Sequence, residues 1–278
     1  MLAAAKAEGS TVIYNAAKEP HIVDLANFLN SMGARVRGAG TDVIRIRGAQ
    51  KLHGSTYAVI PDQIETGTLM IAAAAAGDDV YITGAIPAHM ESLSAKLLEM
   101  GVKVTDGDEA IRVHVVGPRR AINVKTQVYP GFPTDMQPQI ATVMALAQGT
   151  SLVTEAVWSN RFRYVDELCK MGASSRVDGR PATYYGGTHL KGAPVDAMDL
   201  RAGAALVIAG LAAEGVTEIG GVQYIKRGYD RIDQKLQLHK LKFLGFCKII
   251  AAASSGNGYN IQTVFLQRSN IGIDGFTV

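Results

Sequence analysis

Four glycines stand at near-constant intervals along the chain: Gly9, Gly77, Gly149 and Gly215, separated by 68, 72 and 66 residues. Each closes an Ala-rich apolar run (LAAAKAEG, IAAAAAG, VMALAQG and IAGLAAEG), and a short β-type run follows each one. A second set, Gly33, Gly101 and Gly172, lies 24, 24 and 23 residues after the first and closes a second segment of helical period. Self-similarity at this period signals repeated supersecondary units and restricts the fold before any motif is read. A glycine after a periodic apolar helix is the expected left-handed cap. Alternating runs complete the unit: VIRIRG at 43–48, IRVHVVG at 111–117 and INVKTQV at 122–128,. Each unit therefore reads as β-α-β-α-β-β over roughly 65–70 residues,.

The repeat accounts for 30 glycines in 278 residues. Tight loops use some, and Ala/Gly faces let helices approach closely, which suits helices buried inside sheets. A doubly wound α/β domain is the other reading of such a pattern. Against its nucleotide-binding versions, no G-x-G-x-x-G follows a strand and no G-x-x-x-x-G-K-[ST] occurs,. With 47% hydrophobic and 19% charged residues the chain is not of the disordered class,. The fourth unit departs from its siblings: Gly215 to Gly245 is 30 residues, and from about Leu238 the pattern stops. Residues 248–278 form a divergent tail without periodicity.

A net charge of +3 is too weak a bias to point to nucleic acid,. The longest uncharged apolar stretch, 202–213, falls short of a membrane span,. Cys169 and Cys247 make no disulfide framework and no C-x-x-C,. No basic region precedes an apolar core at the N-terminus,. The expectation is a cytoplasmic protein with neither a nucleic-acid nor a membrane partner.

Four places could carry chemistry. YPGFPTDMQPQ at 129–139 sets Asp135 on a stiff loop ahead of a helix, where it is either a simple helix entry (Thr134 or Asp135 as cap, Pro138 in the first turn) or a functional carboxylate,. WSNRFRYVDEL at 158–168 puts Arg161 and Arg163 before a helix. DLRAG at 199–203 puts Arg201 at the start of another, and KRGYDR at 226–231 puts Arg227 before a third. Cations at helix N-termini oppose the macrodipole, so Arg161 and Arg227 in equivalent places suggest a bound phosphate or carboxylate. The six histidines show no ligand spacing,. Cys169, near the core-type Leu168 and Met171, reads as a buried structural thiol,.

FPTDMQ at 132–137, NRF at 160–162 with VDELCKMGA after it, DLRAG at 199–203 and RGYDRID at 227–233 occur together and in order. With EPHIVDLANFLNSMGA at 19–34 and PDQIETGT at 61–68, they make residues 1–237 resemble the UDP-N-acetylglucosamine 1-carboxyvinyltransferases. These are enolpyruvyl transferases that open peptidoglycan synthesis and cell wall biogenesis. The resemblance implies an α/β fold, an inside-out α/β barrel of β-α-β-α-β-β units with helices inside and sheets outside. The four units counted here compare with six in the family. On this basis 1–59 is the remnant of a first transferase domain, 60–247 is a second, and an N-terminal part is missing.

The implied reaction moves enolpyruvyl from phosphoenolpyruvate to the 3′-hydroxyl of UDP-N-acetylglucosamine, through a tetrahedral intermediate and without metal or other cofactor. Asp135 matches the family carboxylate at the sugar 3′-hydroxyl, the catalytic base. Val157 matches a nucleotide contact; Arg161, Arg201 and Arg227 match active-site arginines, Arg227 being the partner of the phosphoenolpyruvate carboxylate. Lys226 stands where an acidic residue is common. The family's mobile loop with its cysteine acid, and its N-terminal lysine, have no counterpart here, and neither Cys169 nor Cys247 inherits that role. The chain alone is therefore expected to be inactive. Two alternatives are a non-catalytic sugar-nucleotide-binding or regulatory fragment, and a non-functional product of a fragmented or frame-altered gene.

Overall fold

The computed structural model describes residues 1–77 and 79–238, together with the short strands 246–249, 264–265 and 275–277. The tail expected at 248–278 otherwise lies outside the described residues. The chain divides into two compact units: Met1–Pro61 with Val128–Gly131, and Asp62–Gln127 with the residues from Phe132 onward.

In the first unit, strand β1 (Ser10–Tyr14), helix α1 (Pro20–Ser31), β2 (Arg35–Arg37) and β3 (Val43–Arg47) follow in order. The three strands form an antiparallel sheet of order β1-β3-β2. Period-2 alternation in VIRIR buries Ile44 and Ile46 and exposes Arg45 and Arg47,. The buried set joins Ala26 and Leu29 of α1, with Ala5, Ala34 and Val36. Asn30 clips the helix to β2 with both amide atoms: its Nδ2 donates to the Val36 carbonyl at 2.9 Å, and Oδ1 accepts from the Val36 N–H at 2.8 Å.

The Ala-rich run at the N-terminus, expected as a helix, is a series of turns over residues 2–9. One i→i−4 bond, from Ala5 N–H to the Met1 carbonyl, is followed by two of i→i−3 type. A segment this short nucleates a turn but cannot propagate a helix.

The second unit contains α2 (Gln63–Ala76), β4 (Asp79–Thr83), α3 (Glu91–Glu99), β5 (Val102–Gly107), β6 (Ala110–Val115) and β7 (Asn123–Lys125). Next come α4 (Gln137–Leu146), β8 (Thr150–Thr154), α5 (Tyr164–Lys170), β9 (Ser174–Val177), β10 (Pro181–Tyr185) and β11 (Pro194–Asp196). It continues with α6 (Leu200–Ala212), β12 (Val216–Gly220), α7 (Val222–Lys226), α8 (Ile232–Leu238), β13 (Phe246–Ile249), β14 (Val264–Phe265) and β15 (Gly275–Thr277). Three four-stranded sheets result, of order β15-β4-β6-β5, β7-β8-β10-β9 and β11-β12-β13-β14. In two of them the strand preceding a helix–strand step pairs in parallel with the strand that follows it, β7 with β8 and β11 with β12; in the third, β15 lies parallel to β4.

Helices α2, α4 and α6 pack on one another and are buried nearly throughout, because they are apolar on every face,. Thr142 of α4 donates to the Ala205 carbonyl of α6 at 3.3 Å. A small residue also makes room for α7: a Cβ on Gly203 of α6 would lie 2.5 Å from Ile225 Cγ1. Among the described residues no helix is long and apolar enough to cross a membrane.

Gly33, Gly101 and Gly172 take the left-handed conformation just past the caps of α1, α3 and α5, with φ of 95°, 93° and 97°. At α1 and α5 the next residue's N–H reaches back five positions, Ala34 to Leu29 and Ala173 to Leu168, in the Schellman pattern,. Gly77 departs from the expected left-handed cap. It follows α2 at φ −83°, extended backbone, its N–H satisfied by the Ala73 carbonyl. Its role is close approach, since a Cβ there would lie 2.7 Å from that same oxygen.

Candidate active site

The N-terminal ends of α2, α4 and α6 bring a polar cluster together in the second unit. Thr134–Met136 forms a single 3-10 turn between Pro133 and α4, and it carries Asp135. Neither Thr134 nor Asp135 caps a helix; α4 starts at Gln137, with Pro138 in its first turn and no side-chain cap. The Asp135 carboxylate is taken instead by two arginines. Arg161 Nη2 donates to Oδ1 at 2.6 Å, and Arg201 Nη2 donates to Oδ2 at 3.0 Å. Arg161 Nη2 also reaches the Thr134 carbonyl at 3.1 Å, fixing the turn that presents Asp135.

Each arginine is aimed by its surroundings. Arg161 begins the 3-10 turn Arg161–Arg163 directly after Asn160, which sits at φ 64°, ψ 35°. Asparagine tolerates this left-handed conformation better than most residues, and the chain reversal starts there. The Arg161 guanidinium lies 5.7 Å from the centre of the Trp158 ring. Arg201 is the second residue of α6, whose cap Asp199 accepts from the Arg201 and Ala202 N–H groups at 2.9 and 2.8 Å. Its Nη1 reaches the Tyr229 hydroxyl at 3.3 Å, with the guanidinium 5.8 Å over the ring. That hydroxyl also meets Thr68 Oγ1 at 3.0 Å and Gln139 Nε2 at 3.3 Å, so one phenol joins α2, α4 and α6.

Burial works against the charge on Asp135, but Arg201 and Arg161 outweigh it and hold the carboxyl below the usual range,. For Arg201, burial opposes the charge in the same way. Tyr229 and Asp135 reverse the balance and raise its pKa. Nearby, Lys235 of α8 pairs with Glu65 of α2 at 2.5 Å. Among the described residues no partner meets the buried Arg161 Nε or the Gln139 Oε1.

Val157 and Arg227 stand apart from this cluster. Arg227 is exposed, just after α7, and makes no side-chain hydrogen bond or ion pair among the described residues. Val157 is exposed, and its N–H donates to Glu155 Oε1 at 2.9 Å. Glu155 is the residue that sequence reasoning missed. It is 2% exposed, and its two carboxyl oxygens accept four hydrogen bonds. Oε1 takes Thr126 Oγ1 at 2.7 Å and the Val157 and Trp158 N–H groups at 2.9 Å; Oε2 takes Thr134 Oγ1 at 3.0 Å. The loop holding Val157 and the turn holding Asp135 are thus tied to one side chain. Its place in TEAV, two residues before Val157, was the available signal.

Cys169 is a correction: the thiol is exposed, 3.3 Å from Ser175 Oγ, not buried. Leu168 and Met171 are fully buried, and Cys169 falls on the opposite face of α5,. Cys247 has no described side-chain environment. Among the described residues no group of three or more His, Cys, Asp or Glu side chains could hold a metal.

A carboxylate clamped by two arginines, where buried helices of an α/β unit start, is an arrangement suited to handling anions. The chain belongs to the family whose model is described as EPSP synthase (3-phosphoshikimate 1-carboxyvinyltransferase), which matches residues 1–236. It is 59% identical over 237 residues to UDP-N-acetylglucosamine 1-carboxyvinyltransferase 3 of Caldanaerobacter subterraneus subsp. tengcongensis, and 57% identical over the same length to the UDP-N-acetylglucosamine 1-carboxyvinyltransferase of Clostridium botulinum. Both alignments cover 85% of this chain and 57% of the relative, so the chain spans little more than half their length. The crystal structure of the enolpyruvyl transferase NikO from Streptomyces tendae superposes with a TM-score of 0.72 at 28% identity, covering 82% of this chain and 55% of that one. EPSP synthase from Acinetobacter baumannii, at 21% identity and a TM-score of 0.56 over 76% of this chain and 52% of that one, shares the fold.

Proposed function

We propose that this chain carries part of the catalytic centre of a UDP-N-acetylglucosamine 1-carboxyvinyltransferase. The whole protein would transfer enolpyruvyl from phosphoenolpyruvate to the sugar 3′-hydroxyl and release phosphate, the first committed step of peptidoglycan synthesis in the cytoplasm. The observation that carries this reading is the double clamp on Asp135, with Arg161 on one oxygen and Arg201 on the other. The names of relatives more than half identical in sequence supply the acceptor, UDP-N-acetylglucosamine, and the carboxyvinyl group that is moved.

In the mechanism Asp135 takes the proton of the 3′-hydroxyl as that oxygen bonds to C2 of phosphoenolpyruvate, and C3 gains a proton from an acid elsewhere in the whole protein. Loss of a C3 proton and of phosphate from the tetrahedral adduct then restores the double bond. A carboxylate held low by two cations is a weak base,. The incoming phosphate competes for the same guanidiniums, and drawing one away raises the basicity of Asp135 as the substrates arrive. Arg161 and Arg201 then stabilise charge on the departing phosphate, and Arg227, exposed and unpaired among the described residues, is free to take the substrate carboxylate. Val157 contacts the nucleotide from the loop that Glu155 holds.

The architecture behind this site is read as an inside-out α/β barrel of β-α-β-α-β-β units, four of the family's six. Residues 1–59 belong to one transferase domain and 60–247 to the other, with a divergent tail after them.

Calorimetry with UDP-N-acetylglucosamine, on the chain and on Asp135→Ala, tests the binding half. Phosphate release is then measured with the chain alone and with the remaining segment of the Caldanaerobacter relative added. The expectation is negligible release alone and Asp135-dependent release with the added segment. Binding without any release in the mixture would favour a non-catalytic sugar-nucleotide module, and release at full rate from the chain alone would contradict the incomplete centre.

A further inference from the structure

The first unit carries a feature that the transferase reading does not use. On the sheet face turned away from α1, Arg35 of β2 stands directly opposite Arg47 of β3, and Arg37 opposite Arg45. All four are exposed, and none makes an ion pair or side-chain hydrogen bond among the described residues. Like charges placed directly across a ladder destabilise a sheet. No carboxylate among the described residues pairs with any of the four. The outer face of the second unit's first sheet is built differently: there Arg112 holds Asp79 with two hydrogen bonds.

The excess is local. Residues 1–61 contain seven Lys/Arg and four Asp/Glu, a net +3, which equals the net charge of the whole chain. The remaining residues are balanced, so the whole-chain figure hides one basic face.

We propose that this face binds the phosphodiester backbone of a single-stranded nucleic acid. Four planar guanidiniums suit bidentate contact with phosphate oxygens. They form a grid two wide and two long, about 6.7 Å apart along a strand and about 5 Å apart across the ladder. A line of spaced monoanions matches that grid better than one compact anion does. The same face continues onto β1, where Val12 sits opposite Arg45 and Tyr14 opposite Val43. Tyr14 is 73% exposed. An exposed aromatic beside a cationic track is the combination on which unstacked bases rest. Neither a bare phosphate chain nor an anionic lipid surface makes use of a stacking platform. The four arginines border a depression of about 620 Å³.

The test is fluorescence anisotropy of a labelled twenty-residue oligodeoxythymidine with the full chain, over a salt series. Four phosphate contacts predict a slope of log affinity against log salt of about −2.8, and the Arg45→Gln/Arg47→Gln variant should lose about 1.4 of it. This variant removes repulsion between paired arginines, so a urea titration should find it at least as stable as the parent. Tyr14→Ser should weaken the oligonucleotide about five-fold or more and leave inorganic polyphosphate unaffected. The proposal fails if the parent chain shows no saturable binding, or if the double variant keeps the full slope. Equal or tighter binding to polyphosphate or to anionic phospholipid vesicles, with Tyr14 silent, also overturns it.

Discussion

The two units use arginine in opposite ways. In the second, Arg161 and Arg201 are mostly buried, and both are committed to the oxygens of a single carboxylate. In the first, four arginines face outward with no acid among the described residues to meet them. A guanidinium that leaves water needs its charge answered within the fold, and the answer fixes the geometry of both groups. One that stays in water needs no internal partner, so its position is free to serve something outside the chain. Committed arginines build a site whose parts depend on each other, whereas uncommitted ones build a surface whose parts act almost independently.

Substitutions in both units test this contrast, beginning where the dependence is greatest. Glu155→Ala leaves two backbone N–H groups and two hydroxyls without their acceptor at a fully buried position. Urea denaturation should show a loss of about 3 kcal/mol or more, and Glu155→Gln a loss near 1 kcal/mol. A loss below 1 kcal/mol for the alanine variant would mean that water replaces the carboxylate and the two loops are not tied.

Arg201→Ala comes next, at about 2 kcal/mol. The full cost of breaking a buried pair is reduced because the Asp135 side chain is 42% exposed and can be hydrated,. The Tyr229 hydroxyl loses a donor in the same step, so Tyr229→Phe combined with Arg201→Ala should cost less than the two changes summed,. Strict additivity would break the picture of a linked cluster.

The pH dependence is smaller and has a definite sign. The carboxyl of Asp135 is held below its ordinary value in the folded chain, so its contribution is fully present above the unfolded value of ~3.9,. That contribution is lost as pH falls through the unfolded value toward the lower folded one. Stability curves of the parent and Asp135→Asn should therefore lie apart at pH 6 and converge below about pH 4. Curves that stay parallel to pH 3 would remove Asp135 from the linkage.

The smallest effect belongs to the first unit. Arg47→Thr relieves repulsion with Arg35 and should raise stability by about 0.3 kcal/mol at low salt. In 1 M salt, where screening acts within ~3 Å, the gain should vanish. A gain that persists there would trace to threonine's β preference and not to charge.

Much of this arrangement is legible in the sequence because it follows from period. The alternation in VIRIRG and IRVHVVG became β3 and β6, and the glycines after α1, α3 and α5 took the left-handed cap that their spacing demanded. Asp135, Arg161 and Arg201 could be chosen because each interrupts a helix start with a charge that local structure does not require. What periodicity does not carry is which distant groups meet. Tyr229 lay inside the KRGYDR cluster, yet its contact with Thr68 spans 161 residues and depends on helix packing. Glu155 reads as an ordinary polar residue after a strand until four donors converge on it. The Ala-rich start is not a helix because its composition matches its siblings while its length does not suffice, and Cys169 faces water because one residue's shift turns a helix side chain away from the core,. The net charge of +3 is a sum over the whole chain, and its excess sits in the first 61 residues.

The clamp on Asp135 is the centre of the account, and its carboxyl can be watched directly. A pH titration followed by the carboxyl carbon resonance of Asp135, in the parent chain and in Arg201→Ala, is the decisive measurement. The expected midpoint lies below ~3.9 in the parent and moves upward when Arg201 is removed,. A midpoint at or above ~3.9 in the parent, unmoved by the substitution, would contradict it.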